Sequence, residues 1–174
     1  MNKIQSKFFF SDGTKRYNKI NKLYKTHKKG YLILGPPGIG KTYFVKRQKG
    51  TLKNWIDGDD LCGEFNVKWH LNEQNIVDQR LNYLRAEYIL EQSRALGYRI
   101  ICALFWEDIT PDAIVIPKLS IHKKYMDKRK NLNLKFIKEI RNLLRKMGKK
   151  KKVKIFETIN EAVKYLEKKK YLKI

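Results

Sequence analysis

The chain predicts an α/β fold of three layers, a parallel sheet of about five strands flanked by helices. Two patterns and a length predict it. Short apolar runs of strand length recur at residues 31–34, 54–56, 99–105, 112–117 and 153–156, and helical spacing fills the stretches 41–48, 75–96 and 136–147 between them. Strand, helix, strand in that order implies right-handed crossovers and parallel pairing. The run 99–105, Arg-Ile-Ile-Cys-Ala-Leu-Phe, is nearly continuously apolar, as a strand covered on both faces requires, and is expected centrally in the sheet. Finally, 174 residues make about one domain, long enough to bury a core without metal or disulfide support.

In chain order, residues 1–29 read as a basic N-terminal extension, with a strand signal at 7–10 and a helix signal at 17–27, and residues 30–174 as the domain proper. Tyr31-Leu32-Ile33-Leu34 is a short buried strand. Gly35-Pro36-Pro37-Gly38-Ile39-Gly40-Lys41-Thr42 follows and matches G-x-x-x-x-G-K-[ST] at every specified position, with the helix 41–48 behind it. Asn54-Trp55-Ile56 is a second strand, closing on Asp57-Gly58-Asp59-Asp60. On the helix 75–96 the apolar positions Val77, Leu81, Leu84, Tyr88 and Ala95 fall on one stripe, and Gly97 stands where a left-handed terminator belongs. After 112–117 comes a strongly basic stretch, 122–130, in which a mobile phosphate-covering segment could lie. Phe136, Ile137, Ile140, Leu143, Leu144 and Met147 mark a helix face ending at Gly148. Val153-Lys154-Ile155-Phe156 is the last strand, and Thr158 and Glu161 are spaced as a capping box for a terminal helix carrying Ala162, Val163 and Leu166. The chain has no internal repeat.

The loop spelling has a chemical reason. Glycines at 35, 38 and 40 permit a tight concavity whose backbone N–H groups, with the positive end of the following helix, surround phosphate oxygens. Residues Gly35 to Tyr43, that is Gly35, Pro36, Pro37, Gly38, Ile39, Gly40, Lys41, Thr42 and Tyr43, are therefore the expected nucleotide-binding set. Lys41 is expected to reach the β- and γ-phosphates and the Thr42 hydroxyl to ligate Mg²⁺, which makes ATP and Mg²⁺ the expected ligands. A plain turn explains the glycines and prolines but not the Lys-Thr that follows them. Asp57-Gly58-Asp59 falls after the second strand, at the edge of the crevice that a doubly wound sheet opens beside the loop. One of its carboxylates can hold Mg²⁺ or its waters, and the other can accept a proton from an attacking hydroxyl. An Asp-Gly turn is the competing reading.

GPPGIGKT followed by a strand ending in Asp-Gly-Asp resembles the small P-loop kinases of the shikimate, gluconate and adenylylsulfate kinase type, similar in architecture to adenylate kinase. By element order the resemblance covers the chain from Tyr31 onward, and two motifs carry it. It implies the three-layer P-loop NTPase fold, Asp57 for the metal and Asp59 for the acceptor hydroxyl, as binding group or base, with Asp60 a competitor for either role. Such kinases carry arginines in a lid. Here the basic stretch offers Lys123, Lys124, Lys128 and Lys130 with one arginine, Arg129, which makes Arg129 the candidate clamp, while a solvated helix face explains the same residues. Arg80 and Arg85, together with His70 beside Trp69, occupy the stretch that covers the acceptor in related kinases, and both arginines are candidates for gripping an anionic acceptor. Trp106-Glu107-Asp108 offers a further acid near the metal. His27 and His122 show no partner spacing for metal binding or nucleophilic catalysis and read as ordinary polar residues.

The formal charge of +23 admits a polyanionic partner such as nucleic acid. Lysine far outnumbers arginine, however, and an AT-rich coding sequence would produce the same excess, so counts alone locate no patch. Two cysteines, Cys62 and Cys102, imply free thiols in a reducing compartment, and the N-terminal apolar run Phe8-Phe9-Phe10 is too short for a signal core or a span, so a cytoplasmic protein without a membrane partner is expected. The leading expectation is an ATP-dependent phosphotransferase acting on a small, nucleotide- or nucleoside-like acceptor. The alternatives are a polynucleotide 5′-hydroxyl kinase and a nucleic-acid-binding P-loop NTPase.

Overall fold

A computed structural model describes residues 8–9, 15–16, 20–64, 76–103, 108–127 and 133–168. Five strands form one sheet: β3 (Tyr31–Leu34), β4 (Ile56–Asp57), β5 (Arg99–Cys102), β6 (Ala113–Val115) and β7 (Ile155–Phe156), after a separate antiparallel pair, β1 (Phe8–Phe9) and β2 (Lys15–Arg16). The order is β4-β5-β3-β6-β7, and every neighbouring pair is parallel. Parallel neighbours require crossovers, and the helices supply them: α2 (Lys41–Lys46), α3 (Gly58–Glu64), α4 (Ile76–Ala95), α5 (Leu119–Met126) and α6 (Leu134–Lys150), with α7 (Ile159–Lys168) after the last strand and the short α1 (Ile20–Leu23) before the first.

Strand periodicity sorts the core into two halves. Leu32, Leu34, Ile100, Cys102, Ile114 and Ile116 face one side, where Ala86, Ile89 and Leu90 of α4 and Ile140, Leu144 and Met147 of α6 cover them. Tyr31, Ile33, Ile101, Ala113 and Val115 face the other, under Ile159, Ala162 and Leu166 of α7. Four-residue strands buried throughout, such as β3 and β5, are what covered parallel sheets demand. Ile20 and Tyr24 join the first half, and the chain at residues 23–25 pairs with Lys53 through Lys25 N–H to the Lys53 carbonyl (2.8 Å) and Lys53 N–H to the Leu23 carbonyl (2.8 Å). Residues 20–29 are thus part of the packed body.

Several local expectations hold. Gly97 has φ +94, and Thr158 and Glu161 cap α7 reciprocally, at 3.1 and 3.2 Å. Four differ, each for a packing reason. The central strand is β3, with β5 beside it as an interior strand ending at Cys102. The stripe Leu81, Leu84, Tyr88 of α4 is exposed at 47, 44 and 45%, because the helix carries a second apolar stripe on its opposite side, Ala86, Ile89, Leu90, and that one meets the sheet. On α6, Phe136 and Leu143 are exposed while Arg141 is buried among Ile137, Ile140 and Leu144. Gly148 does not end α6, which runs two residues further. A Cβ there would lie 2.9 Å from Ile155 Cδ1, so the glycine serves the close approach of helix and strand, and the left-handed residue is Lys152 at φ +53.

Candidate functional site

The loop after β3 meets Asp57, the last residue of β4, and Asp59, in the first turn of α3, at the carboxyl ends of the parallel strands. β3 occupies the middle of the sheet. The chain leaves it for β4 on one edge and later crosses to β6 on its other side, so the end of β3 lies where the strand order reverses and where open parallel sheets bind ligands. The loop conformation depends on glycine: Gly38 has φ +87 and Gly40 φ +88, a region other residues enter only with strain. Gly35 N–H donates to the Cys102 carbonyl at 3.0 Å, and Pro36 and Pro37 have no N–H to give. Among the described residues, the backbone N–H groups of Gly38 through Tyr43 donate to no carbonyl.

Gln48 holds α2 against β4. Its amide donates to the Trp55 carbonyl (2.8 Å) and accepts from the N–H groups of Asn54 (2.9 Å) and Trp55 (2.8 Å). This clamp brings Thr42 to Asp57, and Thr42 Oγ1 donates to Asp57 Oδ2 at 2.7 Å. Asp57 is fully buried and also accepts from Asp59 N–H through Oδ1 at 3.2 Å. Gly58 starts α3 directly on β5, where a Cβ would stand 2.7 Å from Cys102 Sγ, so only glycine lets Asp57 and Asp59 flank this contact.

Lys41 closes the cluster. Only 8% exposed, its Nζ lies 2.8 Å from Asp59 Oδ2 and 3.7 Å from Asp57 Oδ1. Burial pushes its ammonium toward deprotonation, but Asp59 and Asp57 outweigh burial and hold its pKa above the ordinary lysine value. The two acids differ in access, with side chains 2% exposed for Asp57 and 54% for Asp59. Asp60 is exposed and accepts no bond in the cluster; partial desolvation and then repulsion by Asp57 and Asp59 raise its carboxyl. Tyr24 approaches from the N-terminal segment, its phenol raised by burial first and then by Asp60 and Asp57.

Thr42 and Asp57 are hard oxygen donors held together, a pair suited to Mg²⁺. Among the described residues no group of three His, Cys, Asp or Glu side chains is placed to hold a metal. Thr42 and Asp57 could hold Mg²⁺ if a phosphate ligand supplied the remaining oxygens.

Among the described residues, Tyr43, Arg80 and Arg85 make no hydrogen bond or ion pair with Lys41, Thr42, Asp57 or Asp59. Tyr43 is exposed, with the Arg47 guanidinium 5.1 Å from its ring centroid and hydrogen-bonded to its hydroxyl. Arg80 and Arg85 are exposed on α4, and neither has a carboxylate within ion-pair distance among the described residues. Arg129, Lys128, Lys130, Trp69, His70, Trp106 and Glu107 lie outside the described residues. Cys62 and Cys102 are both buried and free, and burial raises the Cys62 thiol well above its usual value and pushes Cys102 up to about 12.

Of two residues that the sequence reading passed over, one touches the loop and the other holds the first. His122, read as an ordinary polar residue, is fully buried in α5 with Nε2 2.8 Å from the Pro37 carbonyl, and Arg141 Nη1 is 3.0 Å from its Nδ1. The available signal was that His122 and Met126 sit four apart on the one buried face of α5. Among the described residues no helix is long and apolar enough to cross a membrane. Comparison of the chain with protein-family models and with curated proteins found no match.

Proposed function

We propose that the chain has the P-loop NTPase fold and is a cytoplasmic ATP-dependent phosphotransferase of the small-kinase type, moving the γ-phosphoryl of Mg·ATP to a hydroxyl or phosphate of a small, nucleotide- or nucleoside-like acceptor. One observation carries the reading. The two chemically specific ends of the sequence motifs, Lys41-Thr42 and Asp57/Asp59, interlock at 2.8 and 2.7 Å across 15 to 18 residues of chain, beside a loop whose N–H groups from Gly38 to Tyr43 donate to no carbonyl among the described residues. A turn has no need of that junction.

In this reading each side chain has a distinct task. Lys41 exchanges Asp59 for the β- and γ-phosphate oxygens and stays with the charge as it shifts toward the leaving oxygen. Thr42 and Asp57 would hold Mg²⁺, directly or through its waters, and the ion would supply neutralisation of phosphate charge. Asp59, half exposed and released by Lys41, orients the acceptor and takes its proton. The acceptor oxygen forms a bond to γ-phosphorus, the bond from that phosphorus to the β,γ-bridging oxygen breaks, and ADP carries off the electron pair. Positioning supplies most of the rate, as in phosphoryl transfer generally.

A second reading, a polynucleotide 5′-hydroxyl kinase, is favoured by α6. Lys135, Lys138, Arg145, Lys146, Lys149 and Lys150 cover its outer face against one acid, Glu139, a stripe suited to a phosphate backbone. A screen with labelled ATP against nucleosides, monophosphates, sugars, shikimate-like acids and oligonucleotides separates the readings. Label on a small acceptor supports the first, label on an oligonucleotide end the second. Release of phosphate to water with every acceptor absent supports a nucleic-acid-binding NTPase instead, and no heat with either Mg·ATP or Mg·GTP in calorimetry overturns all three.

A further inference from the structure

The Pro37 carbonyl is fixed from behind the loop by a chain of three buried groups. Arg141 Nη1, on α6, donates to the Pro117 carbonyl at 2.8 Å and lies 3.0 Å from His122 Nδ1, and His122 Nε2 lies 2.8 Å from the Pro37 carbonyl. A guanidinium can only donate, so Nδ1 is the acceptor, the imidazole is neutral, and its single proton sits on Nε2, directed at Pro37. The tautomer is therefore set by the arginine. Both groups are buried, at 0 and 4% exposure, where a hydrogen bond holds its geometry with little competition from water.

The peptide that follows Pro37 is a rigid trans plane, with its carbonyl and the Gly38 N–H pointing opposite ways. Pinning the carbonyl toward α5 turns that N–H away from α5. Gly38 matters because the Gly35 N–H is spent on the Cys102 carbonyl and Pro36 and Pro37 carry no N–H, so its amide is the first donor of the loop without a carbonyl partner among the described residues. Gly38 is also the residue least able to hold an orientation by itself, since glycine crosses between backbone regions at little cost. We propose that His122 and Arg141 are positioning residues that hold the Gly38 N–H toward the phosphate ligand, His122 acting through the Pro37–Gly38 peptide and Arg141 through His122. The inference rests on the phosphate-loop reading above and names residues that no motif of that reading contains.

Acid supplies a readout that bulk packing does not. Burial, and after it the charge of Arg141, lowers the imidazole below its ordinary value, although the Pro37 carbonyl pulls the other way. The charged groups facing the pair are Arg141 itself and Arg145 beside it on α6; from the loop and α5, Gly38 and Met126 lie against the ring; and among the described residues no carboxylate is within ion-pair distance of either partner. A group with a depressed folded pKa is neutral at no cost above its unfolded value, about 6.5 for histidine, and the ordering it provides is lost as pH falls from there through the folded value. Protonation puts a second donor on Nδ1 against a guanidinium and breaks the chain of bonds.

Titration calorimetry with Mg·ATP from pH 8 to pH 5 on the full chain tests this, with circular dichroism to check folding. His122→Gln presents a donor and an acceptor without titrating. It is expected to bind within about threefold of the wild type at pH 7.5 and to lose less affinity in acid, protonation of the nucleotide being common to both proteins. His122→Leu is expected to bind roughly 10-fold more weakly at pH 7.5, the effect of one well-placed hydrogen bond. Wild-type affinity in a folded His122→Leu, or a wild-type acid profile in His122→Gln, overturns the proposal. If His122→Leu does not fold, the glutamine profile decides. Absence of binding by the wild type itself overturns the phosphate-loop reading instead.

Discussion

Lys41 is buried between Asp57 and Asp59, whereas Lys135, Lys138, Lys146, Lys149 and Lys150 stand exposed on α6 with no carboxylate within ion-pair distance among the described residues. The same side chain meets opposite physics in the two places. At Lys41 the cost of removing an ammonium from water is offset only by carboxylates at fixed distances, so its geometry is specified and its loss leaves Asp57 buried beside an unfilled position. On α6 each ammonium keeps its hydration, no single one is specified, and the stripe acts through its summed field. Composition alone does not explain the stripe. α4 is of comparable length and balances Arg80, Arg85 and Arg94 against Asp78, Glu87 and Glu91, so the basic excess is segregated by element rather than spread.

The largest effect is expected at the specified lysine. Lys41→Ala lowers turnover by on the order of 10³-fold or more in a protein that still folds, as removal of a charge-stabilising donor does in other sites; near-normal turnover in a folded variant would remove Lys41 from the chemistry. Asp59→Asn lowers transfer by on the order of 10²-fold while Mg·ATP binding changes little. If binding and transfer fall together, Asp59 belongs with the metal ligands.

Glu87 sharpens the contrast by adding a buried carboxyl whose partners, the Ile109 backbone and Lys151, do not offset its burial. Among the described residues its Oε1 has no hydrogen-bond partner, and burial, then Asp108, raises its carboxyl to about 7, with Lys151 and the Ile109 backbone hydrogen bond pulling against them. A carboxyl raised in the folded state takes up a proton on folding between its unfolded value of 4.5 and about 7, so stability declines as pH rises through that window. Glu87→Gln has no such decline and is expected to be more stable at pH 8, by at most about 3 kcal/mol, and near wild type at pH 4.5. Thermal melts at the two pH values check this, and an unchanged pH dependence would mean that Glu87 ionises freely.

On the unspecified side the effects are smaller and depend on salt. Replacing Lys138, Arg145 and Lys149 together by glutamate leaves Mg·ATP affinity unchanged and weakens single-stranded oligonucleotide binding by roughly 10-fold or more at low salt, with a shallower salt dependence. An unaltered salt slope in fluorescence anisotropy would make the stripe a solvated face only. Arg80→Ala or Arg85→Ala raises KM for an anionic acceptor by no more than about fivefold, the usual worth of an exposed helix charge. A change in kcat at either position would move it into the reacting centre.

The geometry of the loop was legible in the chain because it is local. Gly38 and Gly40 adopt the left-handed angles their spacing anticipates, Lys41 and Thr42 follow them in one helical turn, and Asp57 and Asp59 need only the end of the next strand to face the loop. Gly97 and the Thr158–Glu161 cap are equally local and were equally readable. α4 shows where that reading stops. Its two apolar stripes satisfy helical periodicity alike, and only the sheet chooses between them, burying Ala86, Ile89 and Leu90 and leaving Leu81, Leu84 and Tyr88 outside.

By itself, then, the sequence determined an alternating α/β chain and a glycine-bent loop ending in Lys-Thr, since turn angles and side-chain spacing act within a few residues. Tertiary structure alone decided that β3 takes the middle of the sheet, that Gly148 serves contact with Ile155 rather than a helix end, and that His122 reaches Pro37 from α5 while Arg141 reaches His122 from α6. A buried polar group acquires its role from the partner across the fold that satisfies it, and that partner lies 19 residues away for one bond and 85 for the other.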